Sequence, residues 1–306
     1  MLAIYQTISA LFILLILASC AAYFLGSKET LRDLKSRILS WWIILPVFSL
    51  SLIINGALFF ILLCFISFMG FKEFISAIPT RQGDRTLIFI LYLMIPVQFY
   101  FAWRHQAEFA HFIFLFLFLF IALTVILFGE TKGMLVSVAV LFWGFVLTIY
   151  CFSFIAYLNT VSPSSLSPIG GAALVLYLVV LTELNDVSQY CWGKLLRGKK
   201  IIPHVSPSKT ISGFLGGVVT TMLLSFLLGN FLVSLTLIQA LMAGILIAVG
   251  GFLGDILVSG VKRDLGIKDF SGLIPAHGGM LDRIDSLILS APLFFYFLKV
   301  YHLGGQ

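Results

Sequence analysis

Long apolar runs alternate along the chain with short segments that carry most of the charges and turn residues. Each run is long enough for a helix to cross a hydrocarbon core of about 30 Å. The apolar runs predict transmembrane helices at Ile8–Leu25, Ile38–Ile54, Gly56–Phe74, Thr86–Phe101, Phe109–Phe128, Met134–Phe154, Ile169–Asn185, Ile211–Leu228, Val233–Val258 and Ile284–Val300. We place a tight turn at Asn55-Gly56, because the apolar stretch around this dipeptide is too long for one span. The pattern predicts an all-α, polytopic integral membrane protein with about ten transmembrane helices.

The composition excludes a soluble globular protein. The chain is 60% hydrophobic and 10% charged, with a mean hydropathy of +1.10, whereas soluble domains carry about 25% charged residues. The first apolar run continues beyond Cys20 and no basic residue precedes it, so we expect an uncleaved first span. We expect a lipid bilayer as the surroundings and no nucleic-acid partner.

The basic residues predict the orientation of the chain. With both termini outside, every Lys and Arg of the 19 except Arg104 and Lys299 falls in an inner loop. The positive-inside rule favours this arrangement. We therefore expect a bacterial inner membrane protein whose charged loops face the cytoplasm.

Charge is concentrated in the second half of the chain. We divide the protein into an N-terminal transmembrane scaffold, residues 1–168, and a C-terminal catalytic region, residues 169–306. The catalytic region has two cytoplasmic loops, residues 193–210 and 259–283. The second is unusually dense in charge, since Ser259–Ser286 holds four Asp, two Lys and two Arg.

Asp255 interrupts an apolar run, "GGFLGDILVSG". An ionised carboxylate at that depth costs several kcal/mol unless it meets a cation or water. On a helix Asp255, Ser259 and Lys262 lie on one face. This arrangement predicts a functional carboxylate rather than a helix cap.

Three more aspartates lie at the same membrane surface. Asp282 and Asp285 share a face at the start of the last span, and Asp186 follows the seventh span in "ELND". Asp282 taken alone also fits a helix cap. Several carboxylates at one depth repel each other, so together they suggest a divalent cation. All-oxygen ligands favour Mg²⁺.

Two segments suit anions. "HGG", His277 to Gly279, predicts a turn whose N–H groups face an anion. The earlier loop ends in "SPSKT", where Ser or Thr can cap the next helix and contact phosphate. For Lys199 and Lys200 we expect nonspecific contact with acidic lipid headgroups rather than binding of a substrate phosphate. Metal-binding acids and phosphate-binding cations at a membrane surface indicate phosphoryl or nucleotidyl transfer to a lipid.

The run from Ser259 to Asp285 resembles a family signature. It reads Ser-x-Val-Lys-Arg, four residues, Lys-Asp-x-Ser, two residues, Ile-Pro-x-His-Gly-Gly-Met-x-Asp-Arg-Ile-Asp. This is similar to the signature of the phosphatidate cytidylyltransferases, or CDP-diacylglycerol synthases. The preceding "LGD" and the upstream "ND" and "SPSKT" resemble further elements of that family in the same order. The resemblance covers about residues 180–300.

The resemblance implies a reaction and its cofactor. Members of the family join CTP and phosphatidate to give CDP-diacylglycerol and pyrophosphate with Mg²⁺, a step of phospholipid biosynthesis. A homodimer is also plausible for such a protein.

The resemblance also implies roles for individual residues. The metal ligands are Asp255 and Asp282, with Asp186 and Asp285 in support. The catalytic residues are Lys262, Arg263 and His277, which neutralise phosphates, and Ser259, which orients them. From the anion-binding character of the two loops we further expect these residues to bind substrate: Ser206, Lys209, Thr210, Lys268, Gly278, Gly279 and Arg283.

Some features depart from the family pattern and leave alternatives open. The first span looks like an addition to the spans that are usual in the family. Ser188-Gln189 stands where family members usually have an apolar residue followed by Ala. "SKTISG" lacks the acidic residue that commonly follows the Lys-Thr pair in the family. These departures suggest a paralogue with a different acceptor lipid. Two other functions remain open. One is a lipid kinase that uses the nucleotide as phosphoryl donor, and the other is a transporter built around Asp255.

Overall fold

The computed structural model describes residues 2–24, 29–128, 131–163, 169–272 and 278–303. Its helices are α1 (Leu2–Phe24), α2 (Glu29–Ile54), α3 (Gly56–Ala77), α4 (Arg85–Trp103), α5 (Ala107–Phe128), α6 (Met134–Phe145), α7 (Cys151–Asn159), α8 (Gly171–Leu196), α9 (Ile211–Leu232), α10 (Leu237–Asp264) and α11 (Leu281–Leu298). A 3-10 turn, Gln82–Asp84, precedes α4. One π turn, Val146–Tyr150, joins α6 to α7, and another, Lys299–Leu303, follows α11. No β-strand occurs within these ranges.

The all-α membrane architecture is confirmed. Within the described ranges, eight helical segments are long and apolar enough to cross a membrane. The two remaining predicted spans correspond to shorter apolar helices, Ile38–Ile54 and His111–Leu127. Large apolar side chains cover the outside of the bundle, as with Phe112 and Leu119, which are 63% and 62% exposed. Such a surface suits hydrocarbon rather than water.

The predicted turn at Asn55-Gly56 is also confirmed. Asn55 alone separates α2 from α3, and its side-chain oxygen accepts a hydrogen bond from the Ala57 N–H (2.9 Å). This bond satisfies one of the free N–H groups at the start of α3. Two adjacent spans therefore form a hairpin with almost no loop.

Several predicted span ends differ from the ends of the helices; α2, for example, begins at Glu29 rather than at Ile38. The seventh span was expected to end at Asn185, but α8 continues to Leu196. The ninth was expected to begin at Val233, but that residue ends α9, and α10 begins after Thr236. Thr236 and Gln239 cap α10 reciprocally, each backbone N–H donating to the other side chain (3.0 and 3.4 Å). The predicted end of the first span, Leu25, lies outside the described residues.

The four helices of the C-terminal region pack around one another. α8 lies against α9, α10 lies against both α9 and α11, and α11 reaches back to α7 and α3. Buried side chains fill the space between them, including Tyr177 of α8, whose hydroxyl lies 2.5 Å from Ser225 Oγ of α9. The candidate site residues of α8, α10 and α11 are therefore carried on one packed unit.

The contact between α10 and α11 depends on Gly254. A Cβ atom at this position would lie 2.3 Å from the Asp285 carbonyl oxygen, which is closer than two such atoms can approach. Glycine lets the two backbones touch. Because Asp255 follows Gly254 directly, this contact brings Asp255 close to Asp285.

Candidate functional site

Polar side chains gather where α8, α10 and α11 meet the connection between α8 and α9. Asn185 is buried and fixes α8 at this place. Its Oδ1 accepts a hydrogen bond from Thr221 of α9 (3.2 Å), and its Nδ2 donates to the Ala248 carbonyl of α10 (3.4 Å). Asp186, the next residue, is thereby held at the junction of the helices.

Asp255 is bound on both carboxylate oxygens. The Lys209 ammonium lies 2.7 Å from its Oδ2, and the Ser259 hydroxyl donates to its Oδ1 (3.1 Å). The Gln189 side-chain oxygen accepts a further hydrogen bond from Lys209 Nζ (3.3 Å). The prediction that Asp255 and Ser259 share a helix face is confirmed, and the cation that Asp255 needs at this depth is Lys209.

Lys209 stays charged because of its neighbours. Burial lowers the pKa of its ammonium, but the Asp255 and Asp186 carboxylates raise it by more, so the net pKa lies above the ordinary value. A buried cation between acids therefore keeps its proton at neutral pH.

Asp282 forms the second ion pair of the site. Lys262 Nζ lies 2.7 Å from its Oδ1, and both side chains are largely buried. Its Oδ2 accepts hydrogen bonds from the backbone N–H groups of Phe270 (3.0 Å) and Gly279 (2.9 Å). The carboxylate thus joins α10 to the segment before α11, and its two oxygens already hold three donors.

Asp186 and Asp285 meet at Ser286. The Ser286 hydroxyl donates to Asp186 Oδ2 (2.6 Å), and the Ser286 N–H donates to Asp285 Oδ1 (2.7 Å). Asp186 Oδ1 is buried and has no hydrogen-bond partner among the described residues. The charges of Asp186, Asp255 and Asp285 lie close enough to repel one another. An uncompensated buried carboxylate oxygen is costly unless a ligand completes it.

The connection from residue 197 to 210 closes one side of the site. Its two ends pair through Ile201 N–H to the Lys209 carbonyl (3.1 Å) and Ile211 N–H to the Lys199 carbonyl (2.8 Å). Thr210 caps α9 by accepting from the Gly213 N–H (3.1 Å), which confirms the predicted cap.

Ser206 lies in a turn of this connection, and its backbone carbonyl accepts a hydrogen bond from the Lys209 N–H (3.3 Å). This bond fixes the backbone at Lys209, whose side chain points to Asp255. Arg263 of α10 holds the connection from the other side, because its Nε donates to the Val205 carbonyl (3.1 Å).

A cavity of about 270 Å³ opens between the end of α8 and the start of α9. Its lining includes Asp186, Gln189, Tyr190, Ser208, Lys209 and Thr210. The amide nitrogen of Gln189 is buried and has no hydrogen-bond partner among the described residues. The cavity thus combines a cation, hydroxyl groups and a free amide donor, which are groups that bind phosphate oxygens.

Of the remaining predicted residues, Lys268 and His277 are not placed in this cluster, whereas Arg283 lies close to it. Lys268 is exposed and makes no ion pair with a described residue, and His277 lies outside the described residues. Arg283 faces Asp186 and Glu183, to which its charge is attracted.

The glycine turn, Gly278-Gly279, contacts an acidic side chain of the protein itself, Asp282. Gly278 has a φ of +78°, and a Cβ atom there would lie 2.9 Å from Asp282 Oδ2. The Gly279 N–H already donates to Asp282. The role of both glycines in binding a substrate phosphate stays a prediction.

The acids do not form a ready-made metal site. Among the residues that the structure describes, no three His, Cys, Asp or Glu side chains lie close enough to hold one ion. Asp186, Asp255 and Asp285 nevertheless suit a hard cation, since they supply oxygen donors only and one of those oxygens has no partner. Lys262 and two N–H groups occupy the oxygens of Asp282, as Lys209 and Ser259 occupy those of Asp255, so a metal ion would have to displace donors at both residues.

Sequence reasoning missed Ser286, which contacts Asp186 and Asp285, and two further residues of this region. Glu73 of α3 is buried against the start of α11, and Gln189 contacts Lys209. No local pattern marks Glu73, since its partners lie about 200 residues later. Gln189 was noted as a departure from the family pattern but was not placed in the site.

Comparison with known proteins identifies the family. A profile of the cytidylyltransferase family matches residues 35–301. The chain is 41% identical over 300 residues to the uncharacterized protein YnbB of Escherichia coli, covering 96% of this chain and 98% of the relative.

Relatives with a named activity align over a shorter stretch. The phosphatidate cytidylyltransferase of Staphylococcus haemolyticus is 36% identical over 124 residues, or 40% of this chain and 48% of that protein. The enzyme of the same name from Haemophilus influenzae is 38% identical over 135 residues, or 42% and 47%. The chain thus matches these enzymes over about half of their length. The profile match over residues 35–301 confirms the predicted resemblance, and the chain belongs to the cytidylyltransferase family.

Proposed function

We propose that the protein transfers a cytidylyl group from CTP to phosphatidate and releases CDP-diacylglycerol and pyrophosphate. The family membership supports a nucleotidyl transferase. The relatives named phosphatidate cytidylyltransferase support phosphatidate as the acceptor. The helices that are long and apolar enough to cross a membrane support a reaction at a bilayer, where such a lipid resides.

One observation carries this proposal. Two lysine–aspartate ion pairs, Lys209–Asp255 and Lys262–Asp282, lie at the same end of the bundle as Asp186, whose Oδ1 has no hydrogen-bond partner among the described residues. Phosphates need cations and divalent metals need carboxylates, and this site brings both together on packed helices. A site that positions and neutralises several phosphates is what nucleotidyl transfer requires.

The chemistry is an exchange at the α-phosphorus of CTP. A phosphate oxygen of the lipid forms a new bond to the α-phosphorus, and the bond from that atom to the bridging oxygen of the β-phosphate breaks. Pyrophosphate leaves with the electron pair. The attacking phosphate monoester is already ionised near neutral pH, so no general base is required. Lys262 and Arg263 neutralise the departing phosphates, and Ser259 orients them.

We assign the cavity between α8 and α9 to the phosphate of the lipid. Lys209 and Thr210 would bind its oxygens, and Gln189 would donate from its free amide nitrogen. Tyr190 lines the same cavity and is 65% exposed on the surface of the bundle, which gives a lipid access from the side.

We propose Mg²⁺ as the cofactor, held by Asp186, Asp255 and Asp285, with Asp282 as a further ligand. When bound, Mg²⁺ supplies positive charge that offsets the charge of the triphosphate. The chain's own contribution is to keep these acids close together and to hold lysines beside them. The site faces the cytoplasm of a bacterial cell, where CTP is available.

A second candidate function is the same transfer to a different lipid phosphate. Two observations favour it: the full-length relative has no assigned activity, and Gln189 inserts an amide into the cavity. A hydrogen-bonding group at this place changes which headgroup fits.

The test is pyrophosphate release by the purified protein in detergent with CTP and Mg²⁺. Parallel reactions contain phosphatidate, lysophosphatidate, a polyprenyl phosphate or no lipid. We expect release with phosphatidate, one CDP-diacylglycerol per pyrophosphate, and none without lipid. Release with another lipid only would establish the second candidate. Formation of CDP in place of pyrophosphate would contradict both and indicate a kinase.

Asp255→Asn tests the role of the acids in the same assay. It removes a carboxylate beside Lys209 and Ser259 and changes no volume, so we expect the rate to fall at least about 100-fold. Asp264→Asn is the matched control, because Asp264 ends the same helix and is exposed. An Asp255→Asn variant as active as Asp264→Asn would exclude Asp255 from the reaction.

A further inference from the structure

Glu73 of α3 is a buried acid that contacts the segment between α10 and α11. Its side chain accepts hydrogen bonds from Ser271 Oγ (2.6 Å), the Met280 N–H (2.9 Å) and the Leu281 N–H (2.8 Å). Glu73 is only 6% exposed, and no lysine or arginine among the described residues forms an ion pair with it. Among the described residues, only neutral donors stabilise this carboxylate, so its burial depends on these hydrogen bonds.

These bonds supply the cap that α11 lacks. The residue before the helix, Met280, has no capping side chain, so its own N–H and that of Leu281 need acceptors from elsewhere. Glu73 provides both from a position 207 residues earlier. A carboxylate at this end of a helix is also favoured by the helix dipole. The start of α11 is thus fixed by α3, from the half of the chain that looked like scaffold.

Gly279 makes room for this contact. A Cβ atom on Gly279 would lie 2.4 Å from Glu73 Oε2, so any larger residue would push the acid away. The Gly279 N–H donates in the other direction, to Asp282 Oδ2 (2.9 Å). Asp282 in turn holds Lys262. One connected set of contacts therefore runs from Glu73 through the glycine turn to the ion pair of the site.

We propose that Glu73 is a positioning residue, which holds the turn at residues 278–281 and thereby sets the placement of Asp282 and Lys262 toward the nucleotide phosphates. The part that concerns the nucleotide rests on the proposed function. The part that concerns the turn does not, because it follows from the hydrogen bonds alone. The backbone N–H groups of this turn donate hydrogen bonds to two acids of the protein, Glu73 and Asp282.

The first experiment tests the turn without any turnover. Hydrogen–deuterium exchange of residues 278–284 is compared in the wild type, Glu73→Gln and Asp84→Asn. Asp84 is a matched control, because it is a buried acid of the same half that pairs with Arg81 and Ser137 instead. We expect exchange at Met280 and Leu281 to rise about tenfold in Glu73→Gln, the size of effect expected when a helix loses its cap. Unchanged exchange there would overturn the proposal.

The second experiment separates positioning from folding. We expect Glu73→Gln to raise KM for CTP at least about fivefold and to leave KM for the lipid within about twofold, since the lipid cavity lies on α8 and α9. Partial unfolding would lower kcat and leave both KM values unchanged, as we expect for Asp84→Asn. An active Glu73→Gln enzyme with an unaltered KM for CTP would overturn the positioning role.

The two experiments keep the two proposals distinguishable. A wild type that releases no pyrophosphate contradicts the proposed function, and the exchange result still decides whether Glu73 holds the turn. If Glu73→Gln fails to fold, Ser271→Ala replaces it, because that change removes one of the three hydrogen bonds and leaves both helix N–H contacts. We then expect a smaller shift in the same direction, and no shift would count against the proposal.

Discussion

At the scale of single residues, the two lysine–aspartate ion pairs of the site couple the binding of phosphates to the binding of metal. Lys209 is bound to Asp255 and Lys262 to Asp282. Under the proposed function Lys209 binds the lipid phosphate, Lys262 binds a phosphate of the nucleotide, and the two aspartates hold Mg²⁺. Binding of a phosphate and binding of the metal therefore each separate the same lysine–aspartate pair. Binding of nucleotide and binding of metal are therefore expected to favour each other.

Gln189 gives the sharpest prediction for one residue. Gln189→Ala removes the acceptor for Lys209 Nζ and the free donor in the cavity. We expect KM for the lipid substrate to rise about three- to tenfold, which is the loss of one or two hydrogen bonds. KM for CTP should stay unchanged. Steady-state kinetics with each substrate varied in turn measure both.

Ser188→Ala is the control for this change. Ser188 lies one residue away on α8, and its side chain does not line the cavity. We expect kinetics like those of the wild type. If Gln189→Ala matches this control for every lipid offered, the cavity is not the acceptor site.

How well a residue could be predicted depended on how local its contacts are. The Asp255–Ser259 contact follows from the helical repeat, and the Thr210 cap follows from its place before an apolar run. The contact of Glu73 joins segments about 200 residues apart. Hydropathy and spacing carry no information about which spans touch, so no reading of the sequence alone brings Glu73 to α11.

At the scale of the element, α10 carries two glycines that differ in their surroundings. A Cβ atom on Gly254 would meet the Asp285 carbonyl at 2.3 Å, whereas one on Gly260 would meet nothing within 4 Å. We expect Gly254→Ala to destabilise the protein by about 2 kcal/mol, because two backbones must separate. Gly260→Ala should be neutral or stabilise it by about 0.5–1 kcal/mol. Thermal unfolding in detergent compares the two.

The same pair of variants also tests the site. Separating α10 from α11 moves Asp255 away from Asp285, so Gly254→Ala is expected to lose activity beyond its loss of stability. Equal stability of the two variants would mean that α10 and α11 are not in close contact.

The errors in helix ends have physical causes. The seventh span was ended where polar residues begin, but backbone hydrogen bonds continue a helix into water regardless of hydropathy, and α8 ends only at Leu196. The ninth span was started at Val233, within the apolar stretch that ends α9. Its start is set instead by Thr236 and Gln239, whose spacing is that of a capping box. Existence and order of the spans follow from hydropathy, whereas their ends follow from capping.

At the scale of the whole molecule, both halves contribute to one site. The C-terminal helices carry the acids and lysines, and α3 of the N-terminal half holds the start of α11. The ion pairs lie at the end of the bundle that carries the connection from residue 197 to 210. Which side of the membrane this end faces decides whether CTP can reach it.

Labelling of single cysteines tests the orientation. With Cys20, Cys64, Cys151 and Cys191 replaced, a cysteine is introduced at the exposed Gln106, between α4 and α5, or at the exposed Lys199, beside the site. The charge distribution places Lys199 inside and the loop with Gln106 outside. A membrane-impermeant maleimide should therefore label Gln106→Cys in right-side-out vesicles and Lys199→Cys only in inside-out vesicles. The reverse pattern would place the site on the side that lacks CTP, and the proposed nucleotide donor would then be wrong even though the fold and the family are unchanged.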